Sequence, residues 1–181
     1  MAGSEYHKHQ EGADTVFDVT PAASPKFMIL AIGGAILILF ALLSGLGLLA
    51  WIIFVPIGVF GIWFGYFRDM RPEAHRGPST FRVNPTAVVA NGRTFPKVEI
   101  HRLIIKNAIS NEVVLGGPNV MIPVATATAM GMAFRAQVSV VANALEVETG
   151  GKAYPLAGGM DQTTAFGLLH DVSKVLGLAI S

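Results

Sequence analysis

From Phe27 to Phe67 the chain carries no charged side chain. The run reads FMILAIGGAILILFALLSGLGLLAWIIFVPIGVFGIWFGYF, and it restricts what can form more tightly than any other part of the sequence. A surface helix keeps a polar face, and this stretch offers none. An ionised group at a bilayer centre costs about 2.5–3.5 kcal/mol on insertion scales, and a span needs about 20 apolar residues. Ser44-Gly45-Leu46-Gly47 is the break signal near the middle, because glycine supplies turn conformations. The sequence therefore predicts a transmembrane helical hairpin over 26–67, with helices near 26–44 and 48–67. Pro56 removes a backbone donor from the second helix. Trp51, Trp63 and Tyr66 fall near its ends, where amphipathic rings favour an interface. Lys26 precedes the run, and Arg68, Arg71 and Arg76 follow it. Basic flanks stay cytoplasmic. The expectation is an inner-membrane protein with both termini cytoplasmic and the lipid bilayer as a partner.

Within the second helix, Gly61 and Gly65 form a GxxxG pair, with Gly58 about one turn earlier. Small residues at this spacing let helix backbones approach closely. Two readings stand side by side: an oligomer or partner-helix contact, and packing of the hairpin against itself.

The 181 residues carry a formal charge of +1 and no cysteine, which removes disulfides and thiolate chemistry. Residues 1–25 are polar with few large apolar groups and read as a flexible tail. His7 and His9 within it are too few ligands for a metal site. Residues 68–79, with Pro72 and Pro78, read as a linker. That leaves 80–181 for one small domain with its own core.

In that domain the pattern changes to short strands. Phe81 and Val83 alternate with Arg82 and Asn84. Asn91-Gly92 is a strong two-residue hairpin signal between AVVA and RTFP. KVEIHRLIIKN (97–107) continues as a strand. Residues 135–142 alternate, with Ala136, Val138, Val140 and Ala142 on one face. Gly150-Gly151 turns a second hairpin. NPTAVVANGRTFP (84–96) aligns without a gap on NALEVETGGKAYP (143–155), pairing Arg93 with Lys152 and Phe95 with Tyr154. Asp161 suits an N-cap and Gly177 a C′ position, around an apolar stripe of Ala165, Phe166, Leu169, Val172 and Leu176. The predicted core joins Phe81, Val88, Ile100, Val138, Val140, Phe166 and Leu169.

Taken together, TFRVN, VVANGRTFP, KVEIHRLIIKN, EVETGGKAYPL and the final helix resemble a bacterial pleckstrin-homology-like domain over roughly 80–178. The resemblance implies an α+β membrane protein. Its transmembrane hairpin would be followed by a cytoplasmic PH-like β-sandwich or barrel, capped by a C-terminal helix. A membrane hairpin ahead of such a domain is an arrangement the family shows. The stretch 107–134 is not anticipated by it.

No motif for phosphate binding, dinucleotide binding, metalloprotease or nucleophile-elbow chemistry occurs. His170-Asp171 is no dyad, because adjacent helical residues point apart. The chain reads as non-enzymatic, with no catalytic residue, cofactor or metal. Arg82, Arg93, Lys97, Arg102 and Lys106 cluster in the first half of the domain, as a lipid-headgroup face or as a solvated strand face. The excess is too small, and lacks interleaved aromatics, for nucleic acid. Met121, Met130 and Met132 among small residues make an adaptable surface, as a protein interface if exposed or as irregular core if buried. The leading expectation is a membrane-anchored scaffold subunit of a bacterial secretion, conjugation or envelope assembly. It would be a homo-oligomer or a repeated subunit of a hetero-complex with other membrane proteins. The alternatives are a lipid-headgroup sensor and an accessory subunit of a membrane enzyme or transporter.

Overall fold

A computed structural model describes residues 3–45, 47–69, 71–109, 113–114 and 136–178. The chain divides into two compact units: residues 24–70, and residues 1–23 together with 71–181.

In the larger unit two antiparallel sheets and one helix share a core. The first sheet runs in sequence order through β1 (Glu5–Glu11), β2 (Asp14–Thr20), β3 (Ser79–Asn84), β4 (Ala87–Ala90) and β5 (Arg93–Pro96). The second comprises β6 (Ile100–Asn107), β7 (Val113–Val114), β8 (Asn143–Thr149) and β9 (Lys152–Met160), ordered β7-β6-β8-β9. Helix α3 (Gln162–Leu176) follows. The Asn91-Gly92 and Gly150-Gly151 turns form as the sequence predicts. All four residues have positive φ, and the flanking pairs are Ala90 with Arg93 and Thr149 with Lys152. This is the geometry that matches strand twist across a two-residue loop.

Alternation in the strands aims one set of side chains inward. Phe17 lies opposite Phe81 in the ladder, and their rings stack at 5.3 Å. Val83 faces Val88, and Val88 faces Phe95. Ile105, Leu145 and Val147 come from the second sheet, and Leu168, Val172 and Leu176 from α3. Both ends of α3 are closed as expected. Asp161 accepts from Thr164 N at 2.9 Å, and Gly177 adopts the left-handed conformation while Leu178 N reaches Ser173 O.

Residues 3–25 are not part of the flexible tail that the sequence predicts over 1–25. Gly12 and Ala13 turn β1 into β2, and β2 pairs with β3. Two carboxylates of the last helical segment fasten this hairpin. Asp161 accepts from the Ser4 hydroxyl at 2.7 Å and from its N–H at 3.1 Å. Asp171 accepts from the Tyr6 hydroxyl at 2.9 Å and from Lys8 Nζ at 2.8 Å. Burial works against ionisation of both carboxyls, but these hydrogen bonds outweigh it and hold both below the usual range. Tyr6 is pushed up to about 12 by burial and by its bond to Asp171.

Other expectations are corrected as well. Among the described residues the PH-like sandwich or barrel does not form: both sheets are open, with β1 and β5 as edges of one and β7 and β9 as edges of the other. Two strands from ahead of the expected domain complete the first sheet, which the resemblance did not include. Residues 136–139 are helical rather than a strand. Val138 is therefore buried while Val140 stands 62% exposed, although an extended chain would put them on one face. Phe166 is half-buried against the core, and Phe81, Val88, Ile100 and Leu169 are buried.

The smaller unit is a helical hairpin of α1 (Met28–Leu43) and α2 (Leu48–Ile62), closed by a π-helical turn over 63–67. Among the described residues no helix is long and apolar enough to cross a membrane. The helices hold 16 and 15 residues, roughly 24 and 22 Å at the α-helical rise, against a hydrocarbon core of about 30 Å. The change of ladder after Ile62 takes residues that the two-span reading assigned to the second helix. The transmembrane hairpin, the bilayer partnership, the inner-membrane location and the topology with both termini cytoplasmic therefore fall together.

Residues 71–76, read from sequence as linker, are packed against β9. Arg71 is buried and its guanidinium donates to Ala22 O, while Ala22 N donates to Gly159 O at 2.9 Å. His75 is buried in a short 3-10 turn (Glu73–His75), with its ring against Gly158. Its Nδ1 has no partner among the described residues. Burial, and then the neighbouring Arg71 charge, depress the imidazole below its ordinary value. The unfolded chain then binds this proton more readily than the folded one. Stability falls as pH drops below about 6.5, down through the folded value. Urea melts across that window should show the slope, and His75→Gln should flatten it.

Candidate functional site

The two hairpins that match in sequence meet in space. Between the β4–β5 and β8–β9 turns lies an open cleft of about 530 Å³. Its floor is aromatic: Phe95 is buried, and its ring lies 5.3 Å from that of Tyr154. One wall is Arg93 and Thr94 of β5, and the other is Thr149, Gly150 and Lys152 of the opposite turn, with Glu99 beside them. The Arg93 guanidinium sits 5.4 Å from the centroid of the Tyr154 ring, a cation–π distance. Asn91 Nδ2 donates to Pro155 O at 3.2 Å and pins the first turn to β9.

The pairs aligned in sequence, Arg93 with Lys152 and Phe95 with Tyr154, thus face one cleft. Two cations flank an aromatic floor, and one carboxylate lies at the rim. Among the described residues neither Arg93 nor Lys152 forms an ion pair. Both walls are also sheet edges, because among the described residues β5 pairs only with β4 and β9 only with β8. Each turn is flanked by a pair that exchanges both ladder bonds, so the next residues out, Thr94 and Ala153, present their N–H and C=O on the outer side.

The five cations read as one basic face are dispersed. Arg82 lies in the first sheet and pairs with Glu11 at 3.0 Å. Lys97 reaches Gly177 O at 3.5 Å, at the C-terminus of α3, where a cation is favoured. Arg102 pairs across strands with Glu148. Lys106 acts on Glu146, whose carboxyl is raised by burial and partly restored by that charge. Of the five, Arg93 alone lines the cleft.

The glycines of the helical unit are consumed within the hairpin. A Cβ on Gly58 would lie 2.5 Å from Gly34 O, and one on Gly65 would lie 2.7 Å from Phe27 O. Gly61 stands 3.1 Å from Leu30 O by the same measure. The stripe therefore packs α2 and the π-turn on α1. Gly34, its counterpart on α1, lies outside the motif that drew attention to the others. Met121, Met130 and Met132 lie outside the described residues.

Lys152, Tyr154 and Glu99 are the cleft residues that the sequence reading did not select. The ungapped hairpin match was the available signal, since it already pairs Lys152 and Tyr154 with Arg93 and Phe95. Among the described residues no group of three or more His, Asp and Glu side chains is placed to hold a metal ion. Asp171, beside His170, is held by Tyr6 and Lys8. No family model, curated protein or solved structure matches the chain.

Proposed function

We propose that the protein is non-enzymatic and acts by protein–protein contact, with its helical hairpin buried against the hairpins of further copies of the chain. The observation that carries this is the outer surface of α1 and α2. Ile29 is 81% exposed, and Ile36, Leu43, Leu49, Ile52 and Phe60 are exposed with it. Neither helix contains a charged residue. A helix apolar all round belongs in a buried position, and an exposed apolar patch beyond a few hundred Å² marks an interaction surface. Such a surface has no charge with which to select an unlike partner. An identical copy presents the same shape and chemistry, which is the basis of isologous contacts. The open sheet edges of the β-rich unit add further surface for protein contact.

Sedimentation velocity of the full chain tests the reading. The wild type should sediment as an oligomer, and Ile36→Lys with Ile53→Lys on exposed faces should give monomers with unchanged far-UV circular dichroism. A monomeric wild type would overturn it, and so would flotation of single copies with lipid vesicles.

A further inference from the structure

The cleft between the two hairpin turns uses none of the hairpin residues on which the preceding reading rests, and it has a chemistry of its own. We infer that it is a docking site for an extended acidic segment of a partner protein, held between Arg93 and Lys152 over the Phe95–Tyr154 floor.

Three independent features point to this occupant. The first is charge. Arg93 and Lys152 stand on opposite walls without a carboxylate partner among the described residues. Three other cations of the same unit do have carboxylate partners: Lys8 with Asp171, Arg82 with Glu11 and Arg102 with Glu148. A ligand carboxylate on each wall would complete the pattern, and Glu99 at the rim would repel a segment whose acidic residues stand out of register. The second is backbone. Both walls end in sheet edges, and the outward N–H and C=O of Thr94 suit strand addition, in which main-chain bonds supply affinity and alternate side chains supply specificity. Proline limits the exposed ladder on each edge, since Pro96 ends β5 and Pro155 interrupts β9. The site therefore takes a short segment and not a long strand. The third is the floor. Tyr154 already carries Arg93 over its ring, so the methylene groups of a glutamate reaching Arg93 would lie against the aromatic pair.

An extended peptide alternates its side chains. Acidic residues at every second position would project to the cations, with apolar ones between them on the opposite side. A small anion would gain the charges and none of the backbone pairing.

The probe is a fluorescent peptide of alternating glutamate and valine, titrated into the full chain. Arms with the lysine–valine peptide and with inorganic phosphate as competitor accompany it. The acidic peptide should bind, and the basic one should not. Arg93→Glu and Lys152→Glu should each weaken binding by about tenfold or more, whereas Lys106→Glu, outside the cleft, should leave it unchanged. Hydrogen exchange should slow at Thr94 or Ala153 on binding, a readout that a loosely held anion would not produce. The wild-type exchange map keeps the test decisive if a variant misfolds. Absence of binding, equal binding of the basic peptide, displacement by phosphate at stoichiometric concentration, or protection elsewhere on the surface would each overturn the inference. None of these outcomes bears on the oligomer measured by sedimentation.

Discussion

Removal of residues 1–20 is expected to abolish cooperative unfolding of the β-rich unit. Those residues supply Val16, Phe17 and Val19, all buried, and the strand that covers the edge of β3. Burying one such side chain is worth about 1.5–3 kcal/mol. Three of them, with the ladder and the Asp161 and Asp171 anchors, approach the whole stability of a typical domain, about 5–15 kcal/mol. Phe17→Ala is the narrower test. It should cost about 3–5 kcal/mol, because its ring is fully buried and stacked on Phe81. Chemical denaturation of both variants checks the expectation. A sharp, near-native transition in the deletion variant would return these residues to the status of a tail.

Among the described glycines, Gly159→Ala should be the most disruptive substitution. The backbone there has φ +75, and a Cβ would stand 2.3 Å from His75 O and 2.7 Å from Pro21 Cβ. Left-handed conformation costs a non-glycine residue about 1–2 kcal/mol, and forcing atoms into a filled site adds about 1–3 kcal/mol. A loss of about 2–5 kcal/mol is expected. Gly12→Ala separates the two terms. Gly12 has φ +65 but nothing within 4 Å of the added atom, so only the conformational part should appear. Equal losses for the two variants in thermal melts would mean that contact with the His75 strap contributes nothing.

Features written in local backbone chemistry were legible in the sequence. Asn91-Gly92, Gly150-Gly151, Asp161 and Gly177 each demand one conformation of a few neighbouring residues, and each adopts it. Features that depend on distant partners were not. In β1 only Tyr6 is even partly buried, so that strand has no apolar alternation to detect, and its docking partners Asp161 and Asp171 lie far along the chain. Residues 136–142 show how few positions separate two periods. Alternating alanine and valine fit a strand, yet Val140 N also reaches Ala136 O at 3.4 Å, a helical turn. In the charge-free run, two helices and a glycine turn were readable. The length of the second helix was not, because the α-helical ladder gives way to a π-turn after Ile62. The cleft was half-visible: the hairpin match paired its residues, but clustering cations by sequence position grouped Arg93 with four side chains that the sheets send elsewhere.

The order in which the chain leaves the ribosome runs against the order in which the β-rich unit is built. The β1–β2 hairpin emerges first, yet β2 pairs with β3 across the whole 24–70 unit, and Ser4 closes on Asp161, 157 positions later. At about 5–20 residues per second, the first two strands wait roughly 8–30 s for their last partners. Through that interval Val16, Phe17 and Val19 lack most of their cover, while the strongly apolar helices emerge close behind them. The polar, charge-rich sequence of β1, EYHKHQE, then has a meaning beyond its place in the finished sheet. It gives the waiting hairpin one edge that resists pairing with neighbouring chains until α3 arrives to claim it.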